Sequence, residues 1–350
     1  MNRFIRRKAF LVPLCLFFLF FIFSLCLLLF IPPSKTPSAK VIAIKKGTHL
    51  RKISTLLEQE GIIRNRLFFI GIATILGKKA EIKAGEYEFQ AQMLPLEVLD
   101  TLVQGQVKRH LVTIPEGYTL TQIAQLMEGL NIVGQKEVFL QKATSPVFIA
   151  SLSLFDSTKD GIVSTLEGYL FPETYHLIKE MESDEVIRMM VYQFKKVFGP
   201  DLSNRASQLG ISQKEAVILA SIIEKETPLA EEKPLISAVF HNRLKKKIPL
   251  QSDPTVIYGI KNFDGNLTKA HLIKSTPYNT YLKNGLPPTP ICNPGKESIL
   301  AALSPASVPY LYFVSKNDGS HYFSSDIGEH NRAVWKYQKF PFQKNDLTKK

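Results

Sequence analysis

Hydrophobic positions along the chain form one long run, followed by shorter patterns in which apolar and polar residues alternate. The run covers Ala9–Ile31, which carries no charged side chain and is interrupted only by Pro13 and Ser24. At roughly 1.5 Å per residue, a helix of this length reaches about 34 Å and can cross a hydrocarbon core of about 30 Å. The sequence therefore predicts a transmembrane helix over residues 9–31.

Positive charge directly before this run predicts its orientation. Four basic residues precede it: Arg3, Arg6, Arg7 and Lys8. Because positively charged flanks stay in the cytoplasm, residues 1–8 are expected there, and the chain after the span is expected on the periplasmic side of the inner membrane. A cleaved signal peptide, with a candidate site at Ser38 and Ala39, is the alternative, although its apolar core is usually only about 7–15 residues long. Residues 32–40 are rich in Pro and Ser and predict a tether.

An internal repeat with a period of about 70 residues follows the tether. Each copy begins with a short alternating stretch, Val41–Ile44 or Leu111–Ile114, which predicts a strand. A turn at Gly47 or Gly117 comes next, and then an amphipathic helix with apolar residues at i, i+3, i+6 and i+7. Units of this kind resemble LysM-type glycan-binding modules, so residues 41–155 are predicted to be a LysM-like region. The alternative is a duplicated structural unit without a ligand.

The amino-acid composition of the sequence changes beyond residue 160. Segments that contain Pro, Asn, Tyr and Gly multiply, and few long periodic helices are expected there. We predict a second, catalytic domain over residues 161–342 and a frayed tail over residues 343–350. Short strands mixed with helices predict an α+β fold for the part outside the membrane.

Composition narrows the classes of function. The net charge is +13 at pH 7, but no nucleic-acid-binding motif accompanies it, and the predicted topology puts this charge outside the cytoplasm, so no nucleic-acid partner is expected. Cys15 and Cys26 lie in the predicted span, which leaves Cys292 alone and without a partner for an intramolecular disulfide. The seven histidines show no metal-binding spacing, so neither a metal site nor another cofactor is expected.

The clearest helix pattern of the second region delivers a carboxylate at its end. Ser212 and Glu215 form a capping-box pattern, and the following residues are apolar almost all round, which predicts a buried helix. The pattern ends at Glu224, with the small residues Ala220 and Ser221 one turn earlier on the same face. Loss of solvation at such a helix end raises the pKa of a carboxyl group toward the value that a general acid needs near neutral pH. Glu224 is therefore a candidate acid–base residue.

Two other interpretations of this helix end stay open from the residues alone. Glu226 is the nearest rival, and it lies about 200° round the helix from Glu224, so the two carboxylates cannot closely face the same cleft. Alternatively, both glutamates only solubilise the helix end, or they form ion pairs with Lys225 and Lys233.

Ordered sequence blocks connect this helix to a known family. They are Leu166–Tyr175, Ala220–Glu226, Val239–Leu244, Leu250–Gly259, Pro277–Tyr281 with Gly285–Pro288, and Tyr310–Val314 with Glu329–Asn331. In this order the blocks resemble those of the YceG-like endolytic peptidoglycan (murein) transglycosylases, with slight departures at Thr276 and Thr289. The resemblance covers the span, the LysM-like region and the second domain, and it implies that Glu224 holds the position of the catalytic glutamate.

The resemblance also implies an activity. Such an enzyme cuts nascent glycan strands at the MurNAc–GlcNAc bond without water, which leaves 1,6-anhydro ends and stops strand elongation. One glutamate acts first as an acid and then as the base for the C6 hydroxyl of muramic acid. Peptidoglycan strands are the implied substrate, and wall synthases (penicillin-binding proteins) are the implied partners.

Further polar residues of the same blocks are candidates for holding the substrate: Glu167, Gln251, Asp253, Tyr278, Asn279, Thr280, Tyr281, His330 and Asn331. They offer hydrogen bonds to hydroxyl and acetamido groups, and the tyrosines add apolar faces for sugar rings. Equally, such residues often only anchor loops.

Two alternative functions remain: a hydrolase that pairs Glu224 with Asp253, and a membrane-anchored scaffold that only binds glycan.

Overall fold

The computed structural model describes residues 17–20, 23, 33, 38–154 and 163–339. No helix within these ranges is both long and apolar enough to cross a membrane. The predicted span over residues 9–31 lies almost wholly outside the described residues, as do residues 1–8 and the tail over residues 343–350. The membrane anchor and its orientation therefore stay predictions.

The described chain forms two compact units. The first unit contains the residues up to His110 together with His176–Glu180, and the second contains Leu111–Tyr175 and the residues from Met181 onward. The second copy of the sequence repeat therefore belongs to the second unit. The predicted domain limits at residues 155 and 161 stay predictions.

The first unit contains an antiparallel pair of strands. Strand β1 (Ala39–Ile44) pairs with β2 (Gly85–Gln90) so that the first residue of each strand lies opposite the last residue of the other. Alternate side chains of a strand point to opposite faces, and here one face buries Ile42, Tyr87 and Phe89. This face forms one wall of the hydrophobic core of the unit.

Helices complete that core. They are α1 (Leu50–Gln59), α2 (Arg66–Ile75) and α3 (Pro95–Gln104), and a single 3₁₀ turn covers Lys78–Ala80. Pro95 stands in the first turn of α3, where its missing N–H costs no helical hydrogen bond. Leu57, Phe69 and Leu99, one from each helix, are fully buried against the strands.

The second unit is mostly helical within its described residues. Its helices are α4 (Leu120–Gly129), α5 (Lys136–Ala143), α6 (Pro146–Ser151), α7 (Ser183–Val197), α8 (Pro200–Leu209), α9 (Gln213–Glu226), α10 (Lys233–Lys245), α11 (Asp253–Tyr258), α12 (Lys269–Leu272), α13 (Lys296–Leu303) and α14 (Ile327–Val334), followed by a π-helical turn over Trp335–Lys339. Strand β5 (Tyr312–Ser315) of this unit pairs antiparallel with β6 (His321–Ser324), and β3 (His110–Thr113) pairs with β4 (Thr174–Leu177), whose residues are divided between the two units. Helices with small separate sheets confirm the predicted α+β fold.

Helices are more extensive beyond residue 160 than the sequence pattern predicted. Helix α7 alone has 15 residues, and it buries Val186, Met190 and Phe194, which stand four residues apart on one face. Acidic residues in its first turn and lysines in its last turn complement the helix dipole. The expectation of few long helices in this region was wrong, although this periodicity was a readable signal for α7.

The two copies of the sequence repeat fold alike. Gly47 and Gly117 adopt left-handed φ angles of 80° and 75° at equivalent turns, a conformation that glycine adopts without strain. The helices that follow them, α1 and α4, bury Leu57 and Met127 at equivalent positions. The repeat is therefore a structural duplication, and its likeness to LysM modules stays a prediction.

Candidate active site

Helix α9 is capped at its start and buried along most of its length. The Ser212 hydroxyl accepts the N–H of Glu215 at 3.1 Å, and the Glu215 carboxylate accepts the N–H of Ser212 at 2.8 Å, so the predicted capping box is present. Residues 216–223 are all buried, and the helix packs mainly against α13. The hydroxyl of Ser221 also accepts the N–H of Ile291 at 3.0 Å. These contacts hold the end of the helix, where both candidate glutamates lie.

Hydrogen-bond donors enclose the carboxylate of Glu224. Its Oε2 accepts the Ser298 hydroxyl at 2.6 Å, the Gly295 N–H at 3.0 Å and the Lys233 ammonium at 3.3 Å. The side chains of Glu224 and Lys233 are only 8% and 5% exposed. Each charge therefore offsets the other in a place that solvent barely reaches. This arrangement matches the alternative in which Glu224 only forms an ion pair.

Glu226 lies on the other side of the same helix end. The hydroxyl of Ser252 donates a hydrogen bond to Oε1 of Glu226 at 2.5 Å. Burial raises the pKa of the Glu226 carboxyl to about 7, and the negative charge of Asp253 also raises it, whereas the Ser252 hydrogen bond and the Arg243 cation lower it. A carboxyl group with this pKa can both donate and accept a proton near neutral pH.

A cavity of about 370 Å³ has Glu226 in its wall. Its lining includes four of the predicted substrate-holding residues: Gln251, Asp253, Tyr281 and His330. The remaining lining residues are Arg243, Leu250, Phe313, Val314, Ser315, His321, Val334 and Gln338. The Tyr281 hydroxyl donates to Oδ1 of Asp253 at 2.6 Å. The cavity thus combines two carboxyl groups, a fixed cation and several aromatic side chains, and Glu224 is not part of its lining.

The guanidinium group of Arg243 is held by backbone and side-chain acceptors. Its Nε donates to the carbonyl of Leu311 at 2.7 Å, and its Nη1 donates to the carbonyls of Pro249 at 3.1 Å and Leu250 at 2.9 Å. Nη1 also donates to Oε1 of Gln251 at 3.2 Å. This network orients the Gln251 side chain and keeps a positive charge near Glu226.

Thr280 positions the turn that carries the cavity residues. Gln251 has a φ of 52°, a left-handed conformation that is strained for a side chain other than glycine. Its N–H donates to the carbonyl of Thr280 at 3.0 Å, and the N–H of Ser252 donates to the Thr280 hydroxyl at 3.0 Å. That hydroxyl also lies 2.8 Å from Oγ1 of Thr255. Thr280 is buried and therefore supports the cavity from behind rather than lining it.

The remaining predicted residues of this group differ in their environments. Asn279 is fully buried, and its amide donates to the carbonyls of Leu272 at 2.9 Å and Lys274 at 2.8 Å, so it anchors its loop. Asn331 is exposed on α14 and does not line the cavity. The ring of His330 stacks on Tyr312 with 5.1 Å between centroids, and its buried Nδ1 has no hydrogen-bond partner within the described chain. Burial and the Arg243 cation lower the pKa of His330.

Glu167 belongs to a different cavity. Its carboxylate accepts the N–H of Leu120 at 2.9 Å, the hydroxyl of Tyr258 at 3.0 Å and the amide of Asn293 at 3.1 Å. Burial raises its pKa to about 7 in spite of these donors. Together with Tyr278, Glu167 lines a cavity of about 1120 Å³, whose wall also includes Ile257 and Tyr258 of α11. The predicted residues are therefore divided between two cavities and a set of buried supports.

The sequence reasoning missed two residues that line the first cavity, Arg243 and His321, and it also missed Ser252, which holds Glu226 by a hydrogen bond. Arg243 and Ser252 stand inside the ordered blocks, and an arginine on an otherwise apolar helix face was an available signal. His321 lies outside the blocks. It is held by Glu232, whose Oε2 is 2.6 Å from its Nδ1, and nothing in the local sequence indicates this pair.

Comparisons relate this site to known proteins. Residues 42–336 match the profile of the YceG-like family. An endolytic murein transglycosylase of Bacillus subtilis (strain 168) is 32% identical over 305 residues, which cover 85% of this chain and 84% of that protein. An endolytic murein transglycosylase of Streptococcus pneumoniae serotype 2 is 30% identical over 320 residues, which cover 84% of this chain but only 57% of that protein.

A solved structure of a YceG-like protein is also similar to this chain. The 2.6 Å crystal structure of a YceG-like protein from Listeria monocytogenes is 32% identical, has a TM-score of 0.58, and covers 85% of this chain and 99% of that one. The family predicted from the ordered sequence blocks is thereby confirmed. With a match that extends over residues 42–336, this chain belongs to the YceG-like family.

Proposed function

We propose that this protein is an endolytic murein transglycosylase that cleaves the glycan strands of peptidoglycan, with Glu226 as its acid–base residue. Relatives that are 30% and 32% identical over 84% and 85% of the chain carry that name. One observation carries the choice of residue, namely the contrast between the two glutamates at the end of α9. Glu226 lines the 370 Å³ cavity with a pKa of about 7, whereas Lys233 and Ser298 enclose Glu224.

This assignment replaces the sequence-based choice of Glu224. The block Ala220–Glu226 contains both glutamates, and the sequence reasoning favoured the first of them. A general acid must come within hydrogen-bond reach of the oxygen that it protonates. Glu224 is 8% exposed and already accepts three hydrogen bonds, so a sugar can reach it only after a buried ion pair is separated. Breaking such a pair is unfavourable, which argues against Glu224 as the acid.

The proposed reaction uses Glu226 twice. The protonated carboxyl gives its proton to the oxygen between MurNAc C1 and GlcNAc C4, and the bond from C1 to that oxygen breaks as positive charge develops on the MurNAc ring. The Glu226 carboxylate then takes the proton of the MurNAc C6 hydroxyl, whose oxygen bonds to C1 and closes the 1,6-anhydro ring. No water is consumed, and Glu226 ends the cycle protonated.

Asp253 is suited to support this reaction. Its negative charge is near enough to raise the pKa of Glu226, and the Tyr281 hydroxyl fixes its orientation at 2.6 Å. A fixed carboxylate beside the reacting ring stabilises the positive charge that develops there. Gln251, oriented by Arg243, supplies an amide for the hydroxyl or acetamido groups of the substrate.

Digestion of purified glycan strands tests the proposal. Wild-type protein should release fragments with 1,6-anhydro ends, identified by mass spectrometry, and Glu226→Gln should release none while its far-ultraviolet circular dichroism stays unchanged. Release of anhydro fragments by folded Glu226→Gln contradicts the assignment of Glu226. Failure of the wild type to cut any strand contradicts the proposed activity.

A second candidate is hydrolysis of the same bond with two carboxylates. The observation in its favour is that Asp253 and Glu226 line one cavity. In that reaction Asp253 serves as the base for water or as the nucleophile, and the product carries a free reducing end. Such a fragment is heavier than the anhydro fragment by one water molecule, so the same mass spectra separate the two reactions.

We further propose that the enzyme acts at the outer face of the membrane on strands that are still being polymerised. The uncharged run Ala9–Ile31 and the basic residues before it support a single-pass anchor in the inner membrane with residues 1–8 in the cytoplasm. Cutting nascent strands there ends their elongation, which makes wall synthases the natural partners. Labelling of intact and lysed cells at a cysteine introduced after the span tests this topology.

A further inference from the structure

Helix α2 of the first unit has an exposed apolar face. Leu67 and Ile75 are 71% and 86% exposed, and Leu76, which directly follows the helix, is 50% exposed. Leu67, Gly71 and Ile75 stand four residues apart and therefore lie in one row along the helix. The opposite side of the helix packs into the core of the unit through Phe69 and Ala73, both fully buried. The apolar strip on the outside of the helix thus consists of an exposed side chain at each end, with a half-buried glycine between them.

Basic residues stand at both ends of this strip. Arg64 and Arg66 lie before it, Lys78 and Lys79 lie after it, and residues 64–80 include no acidic residue. The carboxylates that approach these cations come from other elements: Glu58 is 3.8 Å from Arg66, and Asp100 is 2.5 Å from Lys78. An apolar strip between cations is typical of helices that lie in the interface of an anionic bilayer.

The second copy of the repeat serves as an internal comparison for α2. Helix α5 occupies the equivalent position in that copy. Its Phe139 and Ala143 correspond to Phe69 and Ala73 of α2, and all four are fully buried. Even the contact before each helix is kept, because Glu58 accepts the N–H of Arg66 at 2.9 Å and Glu128 accepts the N–H of Lys136 at 3.0 Å. The inner faces of the two helices are therefore built alike.

The outer faces of the two helices differ. Where α2 exposes Leu67, α5 has Glu137, whose side chain is 70% exposed, and where α2 exposes Ile75 the second copy has Ser145. The repeat consequently folds with polar residues at these positions, so its own packing does not require the leucine and the isoleucine of α2. Large exposed apolar side chains that the fold does not require indicate a binding surface.

We propose that this apolar and basic face of α2 docks onto a lipid bilayer that contains anionic headgroups. The inference goes beyond the proposed function, although it uses the predicted membrane anchor. Between Ile31, the end of the predicted span, and Ala39, the start of β1, the chain extends over at most about 28 Å. A unit of this size is on the order of 30 Å across, so it stays at the membrane surface. Leu67 and Ile75 then enter the headgroup region while the flanking cations meet lipid phosphates.

A fluorescence experiment on the full chain tests the docking. Cys15 and Cys26 are replaced by Ala, and Cys292 is fully buried and stays unlabelled. An NBD fluorophore is attached at Ile75→Cys or, as the matched control, at Gln141→Cys on the exposed face of α5. The protein is reconstituted into vesicles of phosphatidylcholine with or without phosphatidylglycerol, and part of the lipid carries a nitroxide quencher on its acyl chain. Docking predicts about a twofold or greater loss of emission at position 75 in the anionic vesicles and little loss at position 141.

A second variant separates docking from simple proximity to the bilayer. Leu67→Glu places the residue of the second repeat into α2, and it should abolish quenching at position 75 without lowering the midpoint of thermal unfolding. Persistent quenching in Leu67→Glu, equal quenching at positions 75 and 141, or no quenching at position 75 overturns the proposal. A chain that does not float with vesicles overturns the anchor and the docking together.

A second copy of this chain is the competing occupant of the face. In detergent without lipid, shielding of the label at position 75 from iodide that grows with protein concentration indicates such a dimer and overturns the bilayer proposal. Glycan cleavage by Leu67→Glu in detergent should equal that of the wild type. The failure of docking and the failure of the proposed enzymatic function are thereby distinguished.

Discussion

Glu224 and Glu226 stand two residues apart at the end of α9, and their carboxyl groups have different neighbours. Oε2 of Glu224 is 3.3 Å from the Lys233 ammonium, whereas Glu226 accepts a hydrogen bond from Ser252 and lines the 370 Å³ cavity. A helix turns by about 100° per residue, so two side chains that are two positions apart point about 200° away from each other and meet different residues. The contrast between them gives the first prediction.

Exchanging each glutamate for glutamine should separate activity from stability. Glu226→Gln should lose detectable glycan cleavage. It should keep its unfolding temperature, because a neutral glutamine of the same shape packs into the cavity wall as glutamate does. Glu224→Gln removes the carboxylate that lies 3.3 Å from the ammonium of Lys233, which is 5% exposed, and it should lose about 3 kcal/mol of unfolding free energy. Chemical denaturation and product analysis of both proteins measure the two effects.

A double variant provides the control for Glu224. Replacing both partners, as in Glu224→Gln with Lys233→Met, removes the buried charge entirely and should restore most of the stability that Glu224→Gln loses. Full activity of Glu226→Gln together with complete loss in a stably folded Glu224→Gln would return the acid–base role to Glu224.

The pH dependence of the reaction should reflect the carboxyl group of Glu226. Its pKa is raised to about 7 by burial, and the first step needs the protonated form, so kcat/KM should fall as the pH rises through about 7. Asp253→Asn removes a charge that raises this pKa, so the decline should begin at lower pH. Glu231→Gln changes an exposed carboxylate and serves as the matched control. If the dependence of kcat/KM on pH is unchanged in Asp253→Asn, the charge of Asp253 does not raise the pKa of Glu226.

Glu167 should make the stability of the second unit depend on pH. Burial raises its pKa from 4.5 to about 7 in the folded state, so the folded protein holds a proton that the unfolded chain loses between these values. Stability is therefore fully present below pH 4.5 and declines as the pH rises to 7, by on the order of 3 kcal/mol for this group.

Removing this carboxyl group isolates its effect. In a Glu226→Gln background, which eliminates the other carboxyl with a similarly raised pKa, Glu167→Gln should flatten the decline. Trp335, the single tryptophan, lies in the second unit and reports its unfolding by fluorescence. If the curves of unfolding free energy against pH run parallel with and without Glu167, this carboxyl group does not cause the decline in stability.

Backbone strain at Gln251 can be measured with two small substitutions. Gln251→Ala and Gln251→Gly both remove the side chain that Arg243 holds at 3.2 Å, so both should reduce activity to a similar extent. Only glycine adopts the φ of 52° without strain. The free energy of unfolding should therefore be about 1 kcal/mol higher for the Gly variant than for the Ala variant. Equal stabilities of the two variants show that the turn is not strained.

Local sequence patterns predicted a large part of the architecture. The strand before each glycine turn, the amphipathic helices of the repeat, the capped start of α9 at Ser212 and the family blocks are all visible without a structure, because they depend on periodicity and on residues a few positions apart. Helix α7 was missed although its apolar residues repeat every fourth position.

The candidate site depends on contacts that are distant in the sequence. The sequence by itself determined that Glu224 and Glu226 end one buried helix and point about 200° apart. Only the tertiary structure decided which of them meets a cavity. Ser298 and Gly295 reach Glu224 from 74 and 71 positions away, and Ser252 reaches Glu226 from 26 positions away. Since solvation and neighbouring charges set the chemistry of a carboxyl group, and since both come from these distant residues, helix periodicity could offer two candidates but could not choose between them.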